Sequence, residues 1–241
     1  MIRLNGVSFS YGDEVALQDI DLSIERGSAV ALIGPNGSGK STLMKILTGL
    51  EMVNQGAYFF DGQRVDPKAL ADRTFAKNLH RRIGFLFQNS EAQLFCPTVA
   101  DELAFGPLQL GLDEEVAEKR VKDCALLLGI ESLREKPPYQ LSEGEKRKVA
   151  LAAVLSLNPE VLILDEPLNS LDPRTKRFLR SLLENLHRSG KTLVASTHDF
   201  NYLKGIFTTA VVLSQDHRVI RIGPYDEIIA DQAFLETHNI V

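Results

Sequence analysis

The sequence predicts an α/β fold: a largely parallel β-sheet joined by helical crossovers, with an antiparallel β-lobe at its N-terminal side and a helical lobe inserted midway. Three observations carry that expectation. Apolar residues alternate at period two through the first third of the chain. The middle turns to helical periodicity with a charged face. The last third alternates short apolar runs with helical stretches, the pattern of parallel strands with right-handed crossovers. One domain is expected over residues 1–241, its helical lobe at approximately 89–158.

Taken in order, Ile2 and Leu4, then Val7 and Phe9, alternate within two short runs, and Ile20, Leu22 and Ile24 alternate again. Ala29 to Ile33 is a continuous apolar run, as a buried strand would be. A glycine-rich turn follows, and Ser41 to Leu50 reads as a helix. Gly56 to Val65 reads as a strand pair or hairpin with Asp61-Gly62 at its turn. Ile83 to Phe87 is a further apolar run, and Leu112 to Leu128 has helical periodicity. Pro137-Pro138 breaks the chain, and Ser142 to Leu157 resumes a helix. Val161 to Leu164 reads as a buried strand, Pro173 to Ser189 as a helix and Thr192 to Ser196 as a strand. Thr209 to Leu213 and Val219 to Ile222 follow as short strands, and there is no internal repeat or low-complexity tract.

Composition sets limits. With 241 residues, 44% hydrophobic and 24% charged, a packed core is expected and disorder is not. A net charge of -5 argues against nucleic acid as a partner, because phosphate-tracking surfaces carry basic excess. Cys96 and Cys124 are spaced as neither a disulfide framework nor a zinc site, which fits a reduced cytosolic protein. Met1 to Tyr11 does not read as a signal peptide. The apolar runs fall far short of the ~20 residues that span a bilayer. A transport role would therefore need a separate membrane protein.

The strongest chemical signal is Gly34-Pro35-Asn36-Gly37-Ser38-Gly39-Lys40-Ser41, which fits the phosphate-loop pattern between an expected strand and an expected helix. Glycines let backbone N–H groups approach phosphate oxygens, and the helix start adds partial positive charge. Lys40 would neutralise the β- and γ-phosphates of ATP, Ser41 would hold Mg²⁺, and Thr42 can add a hydroxyl to a phosphate. This motif makes the expected fold a P-loop NTPase core. The second signal is the apolar run Val161 to Leu164 followed by Asp165-Glu166, 125 positions after Lys40. A carboxylate at the C-terminal end of a buried strand sits where such sheets bind ligands. Asp165 would hold Mg²⁺, and Glu166 would orient or deprotonate the attacking water.

Between them stands Leu141-Ser142-Glu143-Gly144-Glu145, just before a basic helical stretch. Ser142 with Glu145 three residues on is also a helix capping box. These residues resemble the signature sequence of the ABC ATPases, whose common form is Leu-Ser-Gly-Gly-Gln. Glu143 and Glu145 depart from it, while Ser142 and Gly144, which approach phosphate most closely in the family, are kept. The resemblance runs from Ile2 to about Gly223. It implies that Ser142 and Gly144 act in trans, on the γ-phosphate held by a second ABC ATPase subunit, either an identical copy or a paralogue. It matches Tyr11 to the aromatic that stacks on adenine and Gln88 to the glutamine linking the Mg²⁺ site to the membrane partner. Ser170-Leu171-Asp172 matches the dimer-contacting loop, although Leu168-Asn169 before it departs from the commoner Thr-Ser or Thr-Ala. His198 matches the histidine that reaches the γ-phosphate. The implied catalytic set is thus Glu166, His198 and Gln88, with Ser41, Gln88 and Asp165 on Mg²⁺.

One cassette per chain differs from the translation-type members, and no long heptad series separates the two nucleotide halves as in the chromosome and repair types. A transporter subunit on the cytoplasmic membrane face is therefore expected. The stretch Gln88 to Val99, with Gln93-Leu94-Phe95, and the ending Ala104-Phe105-Gly106-Pro107 are similar to ATPases of the energy-coupling-factor group, which import cobalt, nickel or vitamins. Leu94 and Phe95 either line a groove for a helix of the membrane component or belong to the core of the helical lobe. Only about 18 residues follow Gly223, and the resemblance then favours cobalt or nickel over a vitamin. An ATP-switched regulatory protein is the competing expectation, but Glu166 and His198 speak for hydrolysis.

Overall fold

The structure, a computed structural model, describes residues 1–240. The chain begins with β1 (Ile2–Tyr11) and β2 (Glu14–Ile24), an antiparallel pair. The phase break between Leu4 and Val7 does not divide two strands. It is a register shift within one, where Gly6 takes φ 53°. The extra residue brings Ile2 and Leu4, of one parity, and Val7 and Phe9, of the other, into one core. β3 (Ala29–Ile33) follows, then α1 (Lys40–Thr48). This helix stops short of the expected Leu50 because Gly49 turns left-handed and its N–H caps the Ile46 carbonyl. β4 (Gln55–Phe60) and β5 (Gln63–Val65) form the expected hairpin, with Asp61 and Gly62 both at positive φ.

Two short helices, α2 (Pro67–Ala71) and α3 (Arg73–Arg82), lead into β6 (Ile83–Leu86). The helical segment contains α4 (Val99–Gln109), α5 (Glu114–Leu128) and α6 (Glu143–Ser156). Then come β7 (Val161–Leu164), α7 (Pro173–Arg188), β8 (Thr192–Ser196), the short α8 (Phe200–Leu203), β9 (Thr209–Leu213) and β10 (Val219–Pro224). Two further short helices, α9 (Tyr225–Ala230) and α10 (Gln232–Thr237), follow. Helices α2, α3 and α4 were not among the expected elements. Within α2 and α3 only Leu79 is buried, and α4 carries Gly106 and Pro107 near its end.

The strands form two sheets. One is antiparallel, in the order β2-β1-β4-β5. The other runs β10-β9-β3-β8-β7-β6, parallel throughout except for the β9–β10 pair. Alternate residues of the parallel strands feed two cores. Val30, Leu32, Ile163 and Val194 pack with the β-lobe and α1, while Ala31, Ile33, Leu164 and Ala195 pack with α4 to α7. Burial on both faces explains why these strands read as unbroken apolar runs. Arg82 and Arg26 both pair with Asp61 and Glu160, tying the β-lobe hairpin to the approaches of β6 and β7. The order β3-β8-β7-β6 sets the loops after four parallel strands side by side, and these loops hold the candidate site.

Candidate active site

The loop from Gly34 to Gly39 leaves β3 and turns into α1. A Cβ at Gly34 would meet Leu213 O at 2.5 Å and Ser38 Oγ at 2.8 Å, and one at Gly39 would meet Ala16 O at 2.3 Å. Gly37 and Gly39 also hold positive φ. Glycine is therefore required by space and by backbone angle. The buried Lys40 Nζ donates to Gly34 O at 2.7 Å and Pro35 O at 2.9 Å, which holds the ammonium at the loop's centre. Burial lowers its pKa, and the charges of Glu166 and Asp165 oppose that shift.

Asp165 and Glu166 emerge from the end of β7. Ser196, at the end of neighbouring β8, donates its hydroxyl to Asp165 Oδ1 at 2.6 Å and accepts from Glu166 N at 2.9 Å. Glu166 is 7% exposed, at φ 48°, and its Oε1 is buried without a hydrogen-bond partner. His198 Nε2 lies 3.4 Å from that oxygen. Desolvation raises the Glu166 pKa, although His198 and Lys40 pull it down; neighbouring Asp165 adds to the rise.

These groups line one cleft of about 490 Å³ together with Tyr11, Asn36 to Thr42 and Gln88. Ser38 Oγ is buried there without a partner. The glycine cradle, the central ammonium and the unpaired hydroxyl fit a polyphosphate. Ser41, Gln88 and Asp165 offer a hydroxyl, an amide and a carboxylate, hard oxygen donors that suit Mg²⁺ sharing its shell with phosphates. Tyr11 is partly exposed at the rim, edge-on to Phe9 at 4.8 Å, with Lys45 Nζ 5.9 Å from its ring centroid.

Ser142 and Gly144 lie elsewhere. They line a separate depression of about 370 Å³ with Glu143, Glu145, Lys148 and Ser170 to Asp172. The capping box is formed: Glu145 Oε2 accepts from Ser142 N at 2.8 Å and from Ser142 Oγ at 2.7 Å. These bonds hold the Glu145 carboxyl below its usual range.

The segment after Gln88 divides the two expected apolar residues. Leu94 is partly buried and packs against the core, whereas Phe95 is 66% exposed and edge-on to Phe105 at 4.9 Å. Leu94, Tyr139, Glu91, Pro138 and Lys146 surround a groove of about 150 Å³, with Tyr139 76% exposed. Sequence reasoning missed Ser196, whose only signal was a hydroxyl closing the strand next to Val161 to Leu164. It also missed Val15, Ala16 and His217, which line the cleft near Tyr11 and carry no motif.

A family model described as ABC transporter matches residues 17–169. The chain is 52% identical, over the full length of both proteins, to a provisionally named ABC transporter ATP-binding protein of Clostridium acetobutylicum. It is 43% identical to a nickel import ATP-binding protein of Rhodobacter capsulatus, covering 99% of this chain and 95% of that one. It is 37% identical to an energy-coupling factor transporter ATP-binding protein of Methanococcus maripaludis, covering 100% of this chain and 85% of that one. Among solved structures, cbiO1 from Clostridium perfringens, described as part of an ABC transporter complex, superposes with a TM-score of 0.83 at 33% identity, covering 99% of this chain and 94% of that one.

Proposed function

From the premise that this chain belongs to the ABC transporter ATP-binding family, we propose that it drives an import complex of the energy-coupling-factor type, with cobalt or nickel ions as cargo. The chain is an ATP-hydrolysing transporter subunit. One observation carries the assignment of its residues: the glycine cradle, Lys40, Asp165, Glu166, Gln88 and His198 come from four adjacent strand ends into one cleft.

In this reading Gly34 to Gly39 wrap the phosphates with backbone N–H groups, and Lys40 neutralises the β- and γ-phosphates. Ser41, Asp165 and Gln88 hold Mg²⁺, which supplies charge stabilisation at the phosphates. Glu166 orients the attacking water and takes its proton; the upward shift from burial brings its basicity nearer to neutral pH. His198 stands beside Glu166, facing the transferring phosphate. Tyr11 stacks on adenine at the rim.

Ser142 and Gly144 lie outside the cleft, so they serve a cleft presented by a second subunit. Among the described residues no helix is long and apolar enough to cross a membrane. In this reading a separate membrane component carries the cargo and holds this chain at the cytoplasmic face. The exposed Phe95 and Tyr139 beside the groove at Leu94 suit an apolar helix of that component. The choice of cargo leans on the nickel import relative.

Steady-state phosphate release by the purified chain tests the reading. Lys40→Ala lowers it by roughly 100-fold or more, because the phosphate charge loses its point cation. Glu166→Gln removes turnover while ATP binding persists. Retention of most activity by either variant contradicts the site; an ATP-switched protein would show no turnover to lose.

A further inference from the structure

We propose that Arg147 is a positioning residue that sets Gln88 in the cleft and makes its placement follow the helix bearing Ser142. This rests on the reading of Gln88 as a cleft ligand.

Arg147 lies on α6, five positions after Ser142, and is only 3% exposed. A guanidinium so buried requires strong acceptors. Among the described residues it forms no ion pair, although the charges of Glu143, Asp165 and Glu166 reach it through space. Instead Nη1 donates to Phe87 O at 2.7 Å and Nη2 to Gln88 O at 2.5 Å. The planar fork thus spans two consecutive peptide units, which an ammonium does poorly.

Those two peptides need an external hold. The last sheet bond of β6 runs from Asp165 N to Leu86 O, and the chain then leaves the ladder. Gln93 folds back to accept from Phe87 N at 3.1 Å and donate to Phe85 O at 3.2 Å. Lys146, beside Arg147, pairs with Glu91 at 2.8 Å. The Gln88 segment is therefore slung between β6, which belongs to the central sheet, and α6, which carries Ser142. The backbone of Gln88 is bonded to α6 by Arg147 alone among these contacts. When α6 shifts, the guanidinium moves the Gln88 peptide with it. A side chain inside one subunit's cleft thereby reports the position of a face that lies outside it.

A double-mutant cycle in phosphate release tests this, with Gln88→Ala, Arg147→Met, Arg147→Lys and the combined Gln88→Ala/Arg147→Met, each over a range of ATP and Mg²⁺ concentrations. Arg147→Met is expected to lower kcat about 10-fold, as loss of a supporting partner does at metal sites. KM for ATP stays within about twofold, and more Mg²⁺ is needed for half-activation. Arg147→Lys restores part of kcat through one carbonyl, and Arg147→Met adds nothing to Gln88→Ala. If Gln88→Ala is impaired and the two effects multiply, Arg147 does not act through Gln88 and the proposal falls alone. If Gln88→Ala has full activity, the reading of Gln88 falls and takes the proposal with it. Should melting show Arg147→Met to be unfolded, the same cycle with Arg147→Lys decides between these outcomes.

Discussion

Glu166 is buried beside a second carboxylate, and this burden has a definite sign in folding. Its pKa in the folded chain is raised, so the folded state holds the proton more tightly than the unfolded one. Stability therefore falls as pH rises from the ordinary glutamate range through the folded value, and the cost is complete above it. Glu166→Gln carries no titrating group there. It is expected to be more stable than the parent at neutral pH by on the order of 1 kcal/mol, the usual scale when a functional strain is relieved. The difference vanishes in the acidic range below the ordinary glutamate pKa. Urea unfolding of both proteins across that span checks this; a variant less stable at neutral pH would show that the carboxylate is stabilised in its setting. The identity and spacing of Asp165 and Glu166 were legible in the sequence. The burial of Glu166 and the brace from Ser196 were not, because both depend on which strand lies next to β7.

At the scale of elements, the segment between β6 and α4 shows where sequence patterns stop informing. Leu94 and Phe95 are adjacent and equally apolar, yet one packs on the core and the other faces outward. Replacing Leu94 by a charge would test the core more than a docking surface. Phe95→Asp alone separates the two. It should leave the melting temperature of the isolated subunit close to the parent's, since little of that ring is buried, while co-purification with the membrane component is lost. A folded variant that still co-purifies places the docking surface elsewhere on the helical lobe. Strand positions were the most legible part of the fold: Ala29–Ile33, Val161–Leu164, Thr192–Ser196 and Thr209–Leu213 stand where the apolar runs lie. Helices α2 and α3 were not, because they bury almost nothing and stand on the local caps of Asp66 and Asp72, nor was α4, which carries Gly106 and Pro107 near its end.

For the molecule as a whole, the two candidate surfaces share no lining residue: the cleft holds Lys40 and the signature depression holds Ser142 and Gly144. In a sandwich of two subunits, each cleft is completed by the other chain. ATP then favours association only if it binds the closed arrangement more tightly. In the Glu166→Gln background, size-exclusion chromatography with ATP should show a dimer. Adding Gly144→Asp should abolish it while the monomer's nucleotide titration is unchanged. A Cβ at Gly144 already comes within 3.4 Å of Thr175 Oγ1, and a carboxylate there would oppose the incoming phosphate. A dimer that survives the second substitution would remove the signature face from the interface.

The sequence by itself determined the elements whose physics is local. A glycine loop between strand and helix, a carboxylate pair after four apolar residues and a capping serine each depend on neighbours within a few positions. Tertiary structure alone decided what meets what. The strand order β3-β8-β7-β6 brings Lys40, Gln88, Glu166 and His198 into one cleft, although they are spread across more than half of the chain. Tertiary packing also hung the Gln88 peptide on Arg147 and buried Glu166 Oε1 without a hydrogen bond, 3.4 Å from His198 Nε2. Hydrogen bonding and desolvation act over a few ångströms of space and take no account of separation along the chain, so no periodicity in the sequence records them.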